Sequence, residues 1–405
     1  MQRNTVNIGD ARELAEQLAP QSVQCIVTSP PYFGLRDYGT GTWEGGGEDC
    51  DHAVRTPSTV AKQRASSGLD GSKETVGHQR EGFRAACPRC GAVRLDRQMG
   101  MESTPDEFAA ALVALFAALR PALHPTGSVW IVLGDSYGKK GQLQGIPWLV
   151  AFALQADGWI LRSDVIWEKK NCMPESVQNR PTRSHEHIFL LSKKPTYYYD
   201  AAAIAEQGIK GDAGAGSRNY RPGTDGNQRK YAGQSEIFDR VTRNKRDVWT
   251  QATSPTNIAH FATFPPDLIR PCIRAGTSEY GACAACGAPW RRVVEREGAT
   301  ANEAAIRHME SQGVGRQKGN LYQPHGAGFY ATSMTTGWQP SCQCGTTERR
   351  PCVVLDPFVG SGTTCQVAYE EGRDFLGFDL DPRAIGWTEG RLAKAQRRMI
   401  YSGGM

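Results

Sequence analysis

Val353-Val354-Leu355-Asp356-Pro357-Phe358-Val359-Gly360-Ser361-Gly362-Thr363-Thr364 is the stretch that decides how this 405-residue chain folds. An apolar run of strand character ends in an aspartate, passes a turn containing Gly360 and Gly362, and opens a helix at Thr363. Glycines permit the tight turn and let a ligand approach backbone amides closely. The helix is expected over 363–371 with Gly372 behind it, followed by a strand over 374–380. That strand places Asp379 within Gly377-Phe378-Asp379-Leu380-Asp381-Pro382, where a carboxylate can accept hydrogen bonds from both hydroxyls of a ribose. A nicotinamide site or a plain βαβ turn is the competing reading, but the loop lacks G-x-G-x-x-G.

Working outward, strands are expected at 23–28, 127–135, 159–168, 185–192 and 352–356, and helices at 146–156, 265–275 and the basic C-terminus. Thr104-Pro105-Asp106-Glu107 has the N-cap threonine, first-turn proline and third-position glutamate of a helix start. Strands alternating with helices imply an α/β fold, a mostly parallel sheet with helices on both faces. Three polar stretches, about 40–100, 200–250 and 280–345, break that rhythm and are expected to be insertions at loops.

At the other end of the chain, the strand at 23–28 runs into Ser29-Pro30-Pro31-Tyr32. An exocyclic amino nitrogen on cytosine or adenine attacks poorly because its lone pair is delocalised into the ring. Two acceptors holding its N–H bonds favour a more tetrahedral nitrogen with an available lone pair. Ser29 Oγ and the Pro30 carbonyl can be those acceptors, with Pro30 and Pro31 fixing where the carbonyl points. Tyr32 offers a flat face for stacking on an extruded base. A plain Pro-Pro turn beside a strand is the bland reading of the same residues.

The string D-P-F-x-G-S-G-T-T resembles the S-adenosylmethionine loop of DNA amino-methyltransferases. Together with Ser29–Tyr32 first and Asp356–Thr364 last, it is similar to the permuted beta group of cytosine-N4/adenine-N6 DNA methyltransferases. The resemblance implies a Rossmann-like, S-adenosylmethionine-dependent methyltransferase fold with circularly permuted motif order. It extends to Ile8-Gly9-Asp10, where the family's aspartate contacts the cofactor adenine. His260-Phe261-Ala262-Thr263-Phe264-Pro265 resembles the family's cofactor-side segment. The cofactor set it implies is Asp10, Phe261, Thr263, Asp356, Phe358, Gly360, Ser361, Gly362, Thr363, Thr364 and Asp379. The stretches 127–136, 166–169 and 185–189 also match. Serine at the head of the turn is more often a cytosine-N4 mark than an adenine-N6 one.

The resulting organisation has the catalytic turn in 1–40, an insertion with a metal site in 41–100, and methyltransferase core in 101–194. A target-recognition region is expected in 195–255, a cofactor-side helix in 256–278, a zinc-ribbon insertion in 279–346 and the cofactor-binding part in 347–405. Residues 207–247 carry nine basic residues against five acidic ones, which suits phosphate contact with double-stranded DNA and equally a solvated insertion.

Twelve cysteines include pairs at metal-ligand spacing. Cys283-x-x-Cys286-Gly and Cys342-x-Cys344-Gly lie at the two ends of one insertion, and four thiolates make a closed tetrahedral zinc site. Cys50-x-His52 with Cys87-x-x-Cys90-Gly91 forms a second set, for which His78 is a competing ligand. Two structural zinc ions are therefore expected, bracing loops near DNA. Pro271-Cys272 and Pro351-Cys352 would be needed as nucleophiles for carbon-5 methylation. The first lies in an expected helix and the second begins a strand, so both read as packing cysteines.

The net charge of +5 is compatible with a nucleic-acid partner without requiring one. No apolar run reaches the roughly 20 residues of a membrane span, and no leader pattern is read at the start, so a cytoplasmic location is expected. Members of the group often dimerise, and a restriction endonuclease partner would be a separate chain. The alternatives are methylation of RNA or of a protein amide, and a non-catalytic zinc-ribbon nucleic-acid-binding protein. Relatives that methylate amides usually place the cofactor loop before the turn, and a binding-only protein would need one of the two motifs broken.

Overall fold

The computed structural model describes residues 1–34, 40–47, 49–52, 86–172, 174–207, 242–253, 263–297 and 332–402. The chain forms two compact units, one of residues 1–199, 247–289 and 342–405, the other of 200–246 and 290–341.

The first unit is built on an eight-stranded sheet. Its strands are β1 (Thr5–Ile8), β2 (Val23–Thr28), β3 (Leu123–Leu133), β4 (Ile160–Lys169), β5 (His185–Ser192), β6 (Val248–Gln251), β7 (Val353–Asp356) and β8 (Asp374–Asp379). Their order across the sheet is β1-β8-β7-β2-β3-β5-β4-β6. All neighbours run parallel except β5, which is antiparallel to both β3 and β4. The last two strands of the chain thus insert between its first two.

The central strands β2 and β7 are buried along their whole length, as a parallel sheet covered on both faces requires. Alternate residues of β3, Val129, Ile131 and Leu133, join the core formed with α1 (Ala11–Ala15), α2 (Pro105–Leu119) and α3 (Ile146–Ala156). A second group, α4 (Pro266–Gly276), α5 (Thr363–Glu370) and α6 (Arg383–Ser402), packs in sequence on itself and, through α4, on β2 and β3. Gly276 lies so close there that a Cβ would stand 2.6 Å from Cys25 Sγ and 2.8 Å from Ser128 Oγ. Arg270 joins α4 to α5 by donating to Glu370 at 2.7 Å and Glu371 at 2.6 Å.

Local signals act as expected at several ends. Thr104 Oγ1 accepts from the Glu107 amide at 3.2 Å while the Glu107 carboxylate accepts from the Thr104 amide at 3.3 Å, a reciprocal cap for α2. The start of β3 is earlier than expected. Leu123 pairs with Val23, and Pro125 and Gly127 are absorbed in an irregularity before Ser128 pairs with Cys25. A register break of this kind is set by the partner strand, so the proline alone does not end the strand.

Two short ladders flank the sheet within the first unit, Thr42–Glu44 with Val93–Leu95 and Ala282–Cys283 with Arg349–Arg350, both antiparallel. In the second unit Arg291–Glu297 pairs with Thr332–Gln339, and Glu206–Gln207 with Thr242–Arg243. Arg292 is held by Asp200 at 3.0 Å and stacks over Trp338. The stretches 200–246 and 290–341, read from sequence as separate insertions, therefore belong to one compact body. No helix among the described residues is long and apolar enough to cross a membrane.

Candidate active site

The parallel strands β2, β7 and β8 end together, and a cavity of about 570 Å³ opens outside their carboxyl ends. That position follows from the topology, because strand ends at a switch in winding direction leave a crevice. Ser29, Pro30, Pro31 and Tyr32 line it from the end of β2. Pro357, Phe358, Gly360, Ser361 and Thr363 line it from the turn after β7, and Asp379 from the end of β8. More than three hundred residues of chain separate the two motifs, and the sheet brings them to one wall.

The Ser29–Tyr32 turn is held from several sides. Thr28 Oγ1 donates to Asp356 Oδ1 at 2.6 Å, which staples the end of β2 to the end of β7. Tyr32 donates its hydroxyl to Glu186 Oε2 at 2.7 Å, and Lys169 pairs with the other oxygen of that carboxylate. The Tyr32 ring lies against Gly134, where a Cβ would stand 2.5 Å from its Cε2. Beneath the turn, Gly100 accepts from the Gly34 amide at 2.8 Å.

The carboxylates expected to face the cofactor divide into two kinds. Asp379 lines the cavity and accepts from the Gly360 amide at 2.7 Å and the Asp381 amide at 2.9 Å, one on each oxygen. A carboxylate has about four acceptor positions, so capacity remains for a diol. Burial raises its pKa above the ordinary carboxylate value despite those amides. Asp10, also on the wall, caps α1 and is gripped by Arg12, which donates from its backbone, Nε and Nη2. Burial pushes the Asp10 carboxyl up, but the Arg12 hydrogen bonds and charge outweigh it and hold the group below its usual range.

Asp356, by contrast, does not line the cavity. It is fully buried, accepts from Thr28 and from the Phe358 amide at 3.0 Å, and burial raises its pKa to about 6. Gly362 and Thr364 are likewise behind the wall. Gly362 has φ +83°, and a Cβ there would stand 2.5 Å from Thr388 Oγ1, while Thr364 Oγ1 donates to the Val27 carbonyl. These three are not among the residues that line the cavity; they shape the turn that does. Thr263 lines the cavity, and Phe261 lies outside the described residues, as do His78 and residues 208–241.

The cysteines assemble into two clusters. Cys50, His52, Cys87 and Cys90 bring one ligand atom each within 4.8 Å of one another, and Cys283, Cys286, Cys342 and Cys344 do the same. Cys50 and Cys87 sulfurs are 3.7 Å apart and Cys90 Sγ is 3.4 Å from His52 Nδ1. Tetrahedral zinc with ordinary bond lengths puts sulfur about 3.8 Å from sulfur and about 3.5 Å from nitrogen. Burial pushes the Cys283 thiol up, but hydrogen bonds from the Cys286 and Ala285 amides lower it to about 7. The two candidate carbon-5 nucleophiles are in the wrong places. Cys272 is buried in α4, and Cys352 is buried just before β7, its thiol pushed up to about 11 by burial.

Sequence reasoning did not single out Glu186, Gly134, Arg183 or Asp135. Asp135 caps α3 across ten residues, accepting from the Gly145 and Ile146 amides at 3.1 and 3.0 Å. Arg183 lines the cavity, and its buried Nη1 forms an ion pair with Asp135 at 3.5 Å. The available signal for Glu186 was an acid between two histidines at the head of a strand whose apolar run follows, His185–Ser192.

A DNA methylase family model for N6/N4 methyltransferases matches residues 23–284 and 347–389. The Type II methyltransferase M.Cfr9I of Citrobacter freundii is 34% identical over 420 residues, covering 97% of this chain and 88% of that protein. The Type II methyltransferase M.XycI of Xanthomonas campestris pv. cyanopsidis is 28% identical, covering 98% and 90%. Among solved structures, the PvuII DNA methyltransferase (cytosine-N4-specific) superposes with a TM-score of 0.49 at 14% identity, covering 96% of this chain and 86% of that one.

Proposed function

The chain belongs to the N6/N4 DNA methylase family, and from that premise we propose that it methylates the exocyclic amino group of a base extruded from duplex DNA. Cytosine-N4 is the preferred target, adenine-N6 the second, on the serine at the head of Ser29-Pro30-Pro31-Tyr32. The observation that carries this reading is the single cavity walled by that turn and by Pro357–Ser361.

S-Adenosylmethionine is the methyl donor, supplying an electrophilic carbon on its sulfonium. The residues present fit it: a cavity in the ordinary ligand range of roughly 300–1,000 Å³, and Asp379 with acceptor capacity facing inward. Asp379 would hold the ribose and Asp10 the adenine, with Thr263, Phe358, Gly360, Ser361 and Thr363 forming the rest of the cradle. The chain's own contribution to the chemistry is positioning. Ser29 Oγ and the Pro30 carbonyl accept the two amino hydrogens and localise the nitrogen lone pair. Tyr32, locked by Glu186 and backed by Gly134, presents its ring to the base.

Zinc at the two cysteine clusters is structural in this reading, since four protein ligands leave no open position for substrate. The second unit, with the Arg291–Glu297 and Thr332–Gln339 ladder, is the target-recognition body, a wider region than 195–255 alone. A separate restriction endonuclease is the expected partner, in keeping with the Type II names of the relatives.

The test is incubation of purified protein with methyl-labelled S-adenosylmethionine and mixed-sequence duplex DNA, read by nucleoside mass spectrometry. Labelled N4-methylcytosine is expected. N6-methyladenine would reverse the base assignment, and label only in RNA or protein would overturn the DNA substrate.

A further inference from the structure

We propose that the zinc ion held by Cys50, His52, Cys87 and Cys90 sets the wall of the catalytic cavity, so that filling this site governs cofactor affinity, whereas the Cys283 site serves stability. The inference rests on the cavity being the S-adenosylmethionine site.

The path from metal to cavity is continuous. Trp43 stacks on His52 with ring centroids 4.9 Å apart, and Gly46 sits so close beneath Cys90 that a Cβ would stand 2.6 Å from its sulfur. Trp43 belongs to Thr42–Glu44, which pairs with Val93–Leu95, so the cluster clamps two chain arms at one end. Their other ends are cavity wall: Thr40 on one arm, and Arg97, Gln98 and Met99 on the other. Arg94 pairs with Asp96 at 2.8 Å, and Asp96 accepts from the Gln98 amide at 3.0 Å. The arm then reaches the catalytic turn. Gly100 accepts from Gly34, and a Cβ on it would stand 3.1 Å from the Tyr32 carbonyl and 3.2 Å from that of Pro31.

Among the described residues the ladder between the arms is short. The ladder has three residue pairs, and Val93 and Leu95 are 53% and 46% exposed, so apolar burial contributes little to it. A hairpin that short is marginal on its own. A metal bound by residues from both arms supplies the missing folding free energy.

The other cluster is attached to the opposite end of the sheet. Its Gly287 carbonyl accepts from Gln24 Nε2 at 3.1 Å, and Gln24 Oε1 accepts from the Val353 amide at 2.7 Å. Gln24 and Val353 stand at the beginnings of β2 and β7, and the cavity lies at their ends. Ser29 is five steps along the chain from Gln24, roughly 16 Å at strand rise.

The experiment compares zinc content, melting midpoint and S-adenosylmethionine affinity by calorimetry for the full-length protein, Cys87→Ser and Cys342→Ser. Wild type is expected to carry two equivalents of zinc and each variant one. Cys87→Ser should weaken S-adenosylmethionine binding at least tenfold, and at least fivefold more than Cys342→Ser does. Cys342→Ser should show the larger fall in melting midpoint. A pair of gentler variants covers the case in which Cys87→Ser does not fold. His52→Cys should keep both zinc and affinity, and His52→Ala should lose both. Equal loss of affinity in the two cysteine variants, or retention of wild-type affinity by a His52→Ala protein that has lost one zinc, overturns the proposal. Wild-type protein that binds zinc but no S-adenosylmethionine overturns the assignment of the cavity itself.

Discussion

Replacing Gly134 by alanine tests whether the Tyr32 ring is the surface on which the base is positioned. The backbone at Gly134 lies outside the left-handed region, so alanine introduces no conformational strain of its own. The added Cβ, however, would stand 2.5, 2.9 and 3.2 Å from Cε2, Cδ2 and Cζ of Tyr32. Carbon atoms rest at about 3.5–4.0 Å, so the ring must retreat by roughly 1 Å. It cannot do so freely, because its hydroxyl is bound to Glu186 at 2.7 Å and its backbone follows two prolines. Displacements of that size at a reacting centre cost about a hundredfold in rate, and overpacking costs about 1–3 kcal/mol in stability. Single-turnover methyl transfer with saturating labelled S-adenosylmethionine measures the rate, and thermal unfolding measures the stability. The expected outcome is a rate lowered about a hundredfold with cofactor affinity changed much less. A rate within threefold of wild type, in a protein that shows the destabilisation, would refute the role assigned to the ring.

Three further outcomes follow from the same geometry. Ser29→Ala removes one of two acceptors for the amino hydrogens and should lower kcat by about a hundredfold, while S-adenosylmethionine affinity by calorimetry stays near wild type; unaltered turnover removes Ser29 from the chemistry. Asp379→Ala loses charge-assisted bonds worth about 1.5–3 kcal/mol each, so the S-adenosylmethionine Kd should rise at least tenfold, and an unchanged Kd refutes the ribose assignment. Asp356 carries a pKa raised by burial to about 6 from an unfolded value of 3.8. The folded state therefore binds its proton more tightly, and the contribution to stability is full below pH 3.8, lost as pH rises through 6, and amounts to about 3 kcal/mol. Asp356→Asn abolishes that titration, so its melting midpoint relative to wild type should become less favourable as pH falls from 7 to 4. A difference that does not vary with pH would show that Asp356 is not the titrating group.

Much of this molecule is legible in short stretches of sequence because the features concerned are local. Asp356–Thr364 encodes a strand end, a glycine turn and a helix start in consecutive residues, and Thr104–Glu107 encodes its own reciprocal cap. The cysteine pairs announce metal-ligand geometry through spacing alone, and the structure brings each set of four within 4.8 Å. What each residue does within those motifs depended on partners far along the chain. Asp356 was expected at the cofactor from its motif, and only the fold shows that its carboxylate also accepts from Thr28, 328 residues away, stapling two strands together. Glu186 owes its place to Tyr32, Gly134 to the ring it leaves room for, and Gln98 and Met99 to an arm folded back onto the catalytic turn. The reason is physical. Backbone preference and side-chain spacing act between near neighbours and can be read one segment at a time. Burial and close approach arise only when the sheet closes with β8 and β7 set between β1 and β2, and that arrangement alone decides which residues face the cavity.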